Sequence, residues 1–149
     1  MLEFYQHDLS DVWDQDIDLH GEYGYWLDEY WQGLGSRAFV VTVDSRYAGF
    51  ALVVPRPKLP GGDYWLEQFF IMKKYRRRGI GSAAAYALFD SLPGNWQVGQ
   101  MSMNINAQNF WRNTIRSYTG AELHETEVNT DAGLSVVQQF ATRNLGDAS

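Results

Sequence analysis

Phe-Phe-Ile-Met-Lys-Lys-Tyr-Arg-Arg-Arg-Gly-Ile-Gly-Ser, residues 69–82, is the stretch that decides the fold. Its apolar start is typical of a buried strand, its basic middle of a turn, and its end of a helix N-terminus. Gly79 and Gly81 have no Cβ atom, so the backbone can turn sharply there and approach an anion closely. The first N–H groups of the following helix would point at that anion, and three consecutive arginines add positive charge beside it. The stretch therefore predicts a strand, a pyrophosphate-binding turn and a helix.

Charges are unevenly distributed along the 149 residues, which carry a formal net charge of −6. Nine of the 18 acidic residues precede the first basic residue, Arg37, whereas five of the 12 basic residues lie within residues 73–78. The net negative charge argues against general binding to nucleic acid or to anionic membranes. The acidic opening segment suits a cation, and the basic middle suits an anion.

Length and composition indicate one compact domain, because 45% of the residues are hydrophobic and 15% are aromatic. We expect a helical segment at 1–36, a core at 37–141 and a tail at 142–149. The chain has no cysteine, which excludes disulfides and thiolate metal sites, and its three histidines have no metal-binding spacing. No signal peptide or bilayer-length apolar run is evident, so we expect a soluble cytoplasmic protein, monomeric or homodimeric.

The periodicity of apolar residues predicts a mixed α/β fold with a partly antiparallel central sheet flanked by helices. The predicted helices lie near residues 10–18 and 24–33, from residue 79 to 92, and at 107–118. The predicted strands cover residues 38–43, 47–54, 64–72, 96–103, 121–127 and 134–141.

The strand predicted at 64–72 is apolar on both alternating faces, as expected of a central strand covered on both sides. Simple alternation places Leu66, Phe70 and Met72 on one face and Trp65, Phe69 and Ile71 on the other. Glu67 and Gln68 are its polar exceptions.

The glycine turn has two other interpretations. Gly79, Gly81 and Ala84 match the looser Gly-x-Gly-x-x-Gly/Ala dinucleotide fingerprint. That fingerprint belongs to the first strand and helix of a repeated βαβ domain, whereas here it follows half of the chain and a predicted hairpin. The second is a solvated basic turn without a ligand.

Two motifs together favour the pyrophosphate-binding interpretation of the turn. Arg76-x-x-Gly79-x-Gly81 resembles the cofactor signature of the GNAT superfamily of acyl-CoA-dependent N-acetyltransferases. The segment Asn104-x-x-Ala107-x-x-Phe110-Trp111 resembles that superfamily's Asn-x-x-Ala-x-x-Phe-Tyr segment, which follows its fifth strand. The resemblance covers roughly residues 37–141.

The resemblance implies that acetyl-CoA lies in a cleft where two central strands splay apart. Its pantetheine would pair with the backbone of Phe70, Ile71 and Met72. Its pyrophosphate would lie beside Arg76 on the run Arg77, Arg78, Gly79, Ile80, Gly81 and Ser82. Asn104 would close the cleft through its side-chain amide, and Ala107, Phe110 and Trp111 would line it.

The same resemblance, combined with the chemistry of acetyl transfer, suggests catalytic groups. The backbone N–H of Ile71 is the expected donor to the oxyanion. Glu67 is the candidate general base, because a carboxylate in an apolar strand would have its pKa raised by desolvation. A surface-facing or arginine-paired Glu67 is the alternative. Trp111 occupies the position where the family often has a tyrosine that acts as the general acid beside the sulfur. The indole N–H of tryptophan can form a hydrogen bond but cannot give up its proton at neutral pH. Either Tyr118 or solvent would then protonate the departing thiolate.

The acceptor is expected to be a primary amine of a small molecule or peptide, and to be cationic. It would bind near loop 55–63 and the acidic, aromatic opening segment, where Trp26, Glu29 and Tyr30 are the candidates for cation–π and charge contacts. Core packing and a solvated face would explain the same residues. A non-catalytic acyl-CoA-binding module is the alternative to an enzyme.

Overall fold

Six strands and two α-helices make up the part of the chain that the structure, a computed structural model, describes: residues 35–131 and 133–144. The strands are β1 (Arg37–Val43), β2 (Arg46–Val54), β3 (Tyr64–Ile71), β4 (Asn95–Met101), β5 (His124–Thr130) and β6 (Gly133–Ala141). The helices are α1 (Ile80–Ser91) and α2 (Ile105–Thr119), and a short 3-10 turn spans Lys73–Tyr75. The strands form one mixed sheet in the order β1-β2-β3-β4-β6-β5, which confirms the predicted fold class.

Element positions agree with the predictions except at some ends. The predicted strand 121–127 lies three residues later, at His124–Thr130, and residues 121–123 form no helix or strand after the left-handed cap at Gly120. The predicted strand 96–103 ends at Met101, where the chain turns and the Asn104 N–H donates to the Met101 carbonyl. The helices predicted near 10–18 and 24–33 lie outside the described residues.

The β1–β2 hairpin closes through a tight two-residue turn. Asp44 and Ser45 have φ values of 49° and 63°, in the left-handed region. Two consecutive left-handed residues match the right-handed twist of the flanking strands, and Asp tolerates this conformation better than most residues.

Parallel pairing between β3 and β4 is short. It joins only Tyr64, Trp65 and Leu66 to residues 96–98. β3 then continues beside β2 as far as Ile71, while β4 continues beside β6 as far as Met101. The two central strands therefore separate beyond Leu66, and a cleft opens between them.

A bulge in β3 lies where this separation begins. Leu52 is opposite Gln68 and Val53 is opposite Leu66, so Glu67 is the extra residue of β3. An extra residue reverses the alternation of side chains along a strand. The predicted division of β3 into two faces was therefore wrong. Leu66 packs in the same core cluster as Phe69, whereas Phe70 packs with Phe50 and Leu52 on the other face.

The main core lies between the sheet and the two helices. Phe89 of α1 and Trp96 of β4 are both fully buried, with ring centroids 5.0 Å apart in an edge-to-face arrangement. Trp111 of α2 is also buried and meets the Phe69 ring edge-on at 5.0 Å. Such aromatic contacts hold α2 against the separated half of β3.

Candidate active site

A cleft of about 760 Å³ occupies the space between the separated ends of β3 and β4. One wall is β3 from Trp65 to Ile71, the other is β4 from Val98 to Met101, and α2 contributes Ala107, Phe110 and Trp111. Thr130, Asp131 and Ser135 line it from the β5–β6 hairpin, and Lys58 lines it from the loop before β3.

The N-terminus of α1 lies next to one end of this cleft. Gly79 is its N-cap residue with φ 74°, no side chain caps the first turn, and that turn contains no acidic residue. The first backbone N–H groups of an α-helix have no intrahelical partner. They are therefore available to an anion, and the exposed side chains of Arg77 and Arg78 stand beside them. Gly81 connects this turn to the cleft, because a Cβ atom there would lie 3.2 Å from the Phe110 ring.

Arg76 is positioned differently from the two arginines that follow it. Its Nε donates to the Ile71 carbonyl at 2.7 Å, and its guanidinium lies 5.3 Å from the Phe70 ring centroid. Arg76 therefore joins the basic turn to the end of β3, where it lines the cleft.

Backbone geometry at the end of β3 directs the Ile71 N–H toward the cleft. The Met72 N–H donates to the Ala48 carbonyl at 2.7 Å, so Met72 and Ala48 form a hydrogen-bonded pair. Such pairs alternate with non-hydrogen-bonded pairs along an antiparallel ladder. The Ile71–Gly49 pair is therefore of the second kind, and the backbone N–H of Ile71 points away from β2.

Asn104 has a role that the sequence reading did not include. It is the N-cap residue of α2, and its side-chain Oδ1 accepts a hydrogen bond from the Ala107 N–H at 3.3 Å. Asn104 was predicted to close the cleft through its side-chain amide; it lines the cleft, and its amide oxygen is already used in capping the helix.

Glu67 lies on the cleft wall at the bulge and is exposed. The prediction of a desolvated carboxylate was therefore wrong, because the bulge and the separation of the strands leave this side chain open to solvent. Neighbouring Gln68 is half-buried, and its Oε1 is the buried side-chain oxygen without a hydrogen-bond partner in the described part of the chain.

Tyr118 is not among the residues that line the cleft. It is buried in the core, its hydroxyl donates to Asp90 Oδ1 at 2.8 Å, and the Arg143 guanidinium stacks on its ring at 4.8 Å. Burial, reinforced by the bond to Asp90, raises the pKa of Tyr118 to about 12. Its position contradicts the predicted role as the acid beside the thiolate, because the hydroxyl is directed at Asp90 rather than at the cleft.

The structure brings together part of the predicted cofactor set. The predicted residues that line the cleft are Phe70, Ile71, Arg76, Asn104, Ala107, Phe110 and Trp111. Those that do not line it are Met72 and the residues of the α1 turn, Arg77, Arg78, Gly79, Ile80, Gly81 and Ser82. Trp26, Glu29 and Tyr30 lie outside the described residues. The sequence analysis did not assign Lys58, Gln68 or Gln100 to the site, although all three line the cleft. Gln68 could have been noticed, because it is a polar residue within a largely apolar strand.

Comparison with known proteins shows which family has this combination of cleft and glycine turn. The acetyltransferase (GNAT) family model matches residues 3–114, which include both the basic glycine turn and the start of α2. No curated protein sequence matches the chain.

Solved structures share the fold. An acetyltransferase from Thermus thermophilus superimposes with a TM-score of 0.60 at 14% identity, over 77% of this chain and 70% of that one. A Bacillus subtilis acetyltransferase in complex with CoA gives 0.55 at 9% identity, over 78% and 82%. The ribosomal-protein-S18-alanine N-acetyltransferase of Escherichia coli gives 0.52 at 16% identity, over 85% and 83%.

Neither described helix is both long and apolar enough to cross a membrane.

The family match covers most of the sequence, and the fold agrees with it in the separated central strands and in the glycine turn that begins α1. The chain therefore belongs to the GNAT acetyltransferase family.

Proposed function

We propose that the protein transfers the acetyl group of acetyl-CoA to a primary amine of a small molecule or peptide. The observation that carries this proposal is the 760 Å³ cleft between β3 and β4, which lies beside the uncapped, glycine-initiated N-terminus of α1. The match to the acetyltransferase family and the CoA complex of the Bacillus subtilis protein support it.

The cofactor would be held by two groups of residues. Backbone N–H groups at the start of α1, together with Arg77 and Arg78, suit a pyrophosphate by position and charge. The pantetheine arm would follow β3 beyond Leu66, where the backbone has no β4 partner. Bound acetyl-CoA supplies the thioester, and the remaining chemistry belongs to this chain.

Acetyl transfer needs a donor to the carbonyl oxygen and a base for the attacking amine. The Ile71 N–H, directed away from β2, would stabilise the oxyanion of the tetrahedral intermediate. The exposed Glu67 would remove a proton from the amine, directly or through water. The C–N bond forms first; when the tetrahedral intermediate collapses, the C–S bond breaks, and the departing thiolate takes a proton from solvent.

The first test is calorimetric titration with acetyl-CoA, alone and with excess NADH. Micromolar binding that NADH does not affect supports the cofactor assignment, and no binding of acetyl-CoA contradicts it. Turnover is then followed by release of free CoA thiol on a panel of amines.

The variant Glu67→Gln tests the base. We expect it to lower kcat by roughly 10²- to 10⁴-fold, the usual range for a general base, without weakening acetyl-CoA binding. Glu127→Gln is the matched control, because Glu127 is an exposed residue of β5 that does not line the cleft. Equal rates for both variants would show that Glu67 is not the base.

A second candidate function is a non-catalytic acyl-CoA-binding module. Trp111 at the tyrosine position and the engagement of the Tyr118 hydroxyl by Asp90 favour it. Tight binding of acetyl-CoA with no thiol release on any amine would support this candidate over the enzyme.

A further inference from the structure

Two oppositely charged side chains line the cleft without pairing. Lys58 comes from the loop before β3, and Glu67 lies at the bulge of β3. Neither forms an ion pair within residues 35–131 and 133–144. The Lys58 ammonium lies 5.8 Å from the centroid of the Trp65 ring, another wall of the same cleft. The lining also includes Arg76, whose Nε donates to the Ile71 carbonyl, and Asp131 of the β5–β6 hairpin, so Lys58 and Glu67 are one cation and one anion among its four charged side chains.

The backbone of Lys58 is held in place by a buried side chain. Gln97 of β4 is fully buried, and its Oε1 accepts hydrogen bonds from the Lys58 N–H at 2.8 Å and the Leu59 N–H at 2.9 Å. Its Nε2 donates to the Leu59 carbonyl at 2.7 Å and to Gln139 Oε1 at 3.1 Å. Three of these bonds hold the loop against β4 and the fourth joins Gln97 to β6, so the backbone of Lys58 is fixed beside the cleft.

The wall near Glu67 also offers a neutral acceptor. Gln68 lines the cleft, and its Oε1 is buried without a partner. The terminal torsion of a glutamine is soft, so rotation of the amide can turn this oxygen toward the cleft. Glu67 and Gln68 together suit the N–H groups of an amine, whereas Lys58 suits an anion.

We propose that the acceptor is a small amino acid, whose amine lies by Glu67 and whose carboxylate pairs with Lys58. This inference rests on the proposed acetyltransferase function and names its substrate class. Lys58 is exposed, so an amine without an anionic group leaves its ammonium solvated, whereas a carboxylate adds a charge-assisted hydrogen bond to it. A zwitterion satisfies both charges. The acidic opening segment led us to expect a cationic acceptor, and Lys58 adds an anionic group to that expectation.

The test compares amino acids with their carboxamides, which keep the amine but lose the negative charge. The panel contains the α-amino acids, β-alanine and γ-aminobutyrate, each beside its amide, assayed by CoA thiol release. For the preferred acid we expect kcat/KM to exceed that of its amide by about tenfold, as for one charge-assisted hydrogen bond. Lys58→Gln should remove this preference by lowering kcat/KM for the acid and not for the amide. Arg46→Gln is the matched control, since it removes one exposed charge from the β1–β2 hairpin.

Other outcomes separate the two proposals. Amides used as well as or better than acids, or an equal loss on both in Lys58→Gln, would overturn the amino-acid assignment while leaving acetyl transfer intact. Transfer to simple amines with no amino acid accepted would do the same. Failure of the wild-type protein to bind acetyl-CoA in the calorimeter would instead overturn the proposed function.

Discussion

Gly81 at the start of α1 lies directly against Phe110 of α2: a Cβ atom on the glycine would come within 3.2 Å of Cε2 and Cζ of the ring. The two sequence motifs are thus in contact at the end of the cleft. A 3.2 Å approach is tighter than most Cβ contacts, so the Phe110 ring would have to move slightly to accept a side chain.

Replacing Gly81 should therefore affect the cofactor site in proportion to side-chain size and charge. We expect Gly81→Glu to abolish acetyl-CoA binding, because it places a bulky anion at the helix N-terminus. Gly81→Ala should weaken binding modestly, and Phe110→Leu in the same chain should restore part of the loss by making room. Calorimetry gives both affinities. Unchanged affinity in Gly81→Glu would contradict the phosphate-binding role of this turn.

Arg77 has φ 61°, a left-handed conformation that a residue with a Cβ atom adopts at a cost of roughly 1–2 kcal/mol. Arg77→Gly should relieve that strain and raise the free energy of unfolding by up to about 1 kcal/mol, while removing a cation and weakening acetyl-CoA binding. Arg78→Gly is the matched variant, since φ of Arg78 is not positive. It should lose affinity without gaining stability. Urea unfolding distinguishes the two, and a destabilised Arg77→Gly would contradict the strain argument.

Gln97 is expected to control the loop that carries Lys58. In Gln97→Leu the part-buried N–H groups of Lys58 and Leu59 lose their acceptor, and a fully buried group left without a partner costs about 1–3 kcal/mol. We expect the free energy of unfolding to fall by about 1–2 kcal/mol, and hydrogen exchange to accelerate at these two amides. Gln139→Leu, which removes one bond to Gln97, is the control and should have a smaller effect. Unchanged protection of both amides would contradict this anchor.

Tyr118→Phe should affect stability rather than acetyl transfer. The variant loses the hydrogen bond to Asp90, so we expect a loss of about 1 kcal/mol at pH 7, while kcat and its pH profile stay unchanged. A kcat reduced tenfold or more would restore Tyr118 as a candidate acid.

The raised pKa of Tyr118 also gives a pH dependence with a definite sign. The folded value is about 12, whereas the ordinary tyrosine value is 10.0. The contribution of the protonated Tyr118 hydroxyl to folding stability is fully present below pH 10. It is lost as pH rises from 10 to 12, because the tyrosine of the unfolded chain releases its proton at lower pH than that of the folded chain. The difference in unfolding free energy between wild type and Tyr118→Phe should shrink over that range. A constant difference would contradict the assignment.

Local patterns were sufficient to predict most elements of the fold. The hairpin of β1 and β2, the strand–turn–helix around Gly79 and the helix that ends at Gly120 each carry their own start or stop signal. The composition of the glycine turn also predicted its place beside a helix N-terminus, since a left-handed N-cap favours glycine.

The faces of β3 were beyond such reasoning. Apart from Glu67 and Gln68, β3 is apolar on both faces, so its pattern does not show which side each residue faces or where the bulge lies. That one extra residue exchanged the faces of Phe69 and Phe70 and exposed Glu67. Register is set by pairing with β2, a separate strand, and not by the composition of β3 itself.

The sequence by itself determined the fold class, the family and the location of the basic glycine turn, because these depend on residues close together in the chain. Only the tertiary structure decided which polar side chains share the cleft. Lys58 is placed by Gln97, 39 residues away, and the Tyr118 hydroxyl is engaged by Asp90, 28 residues away. Hydrogen bonds between distant segments form only once the sheet and helices have packed, so no local pattern encodes them.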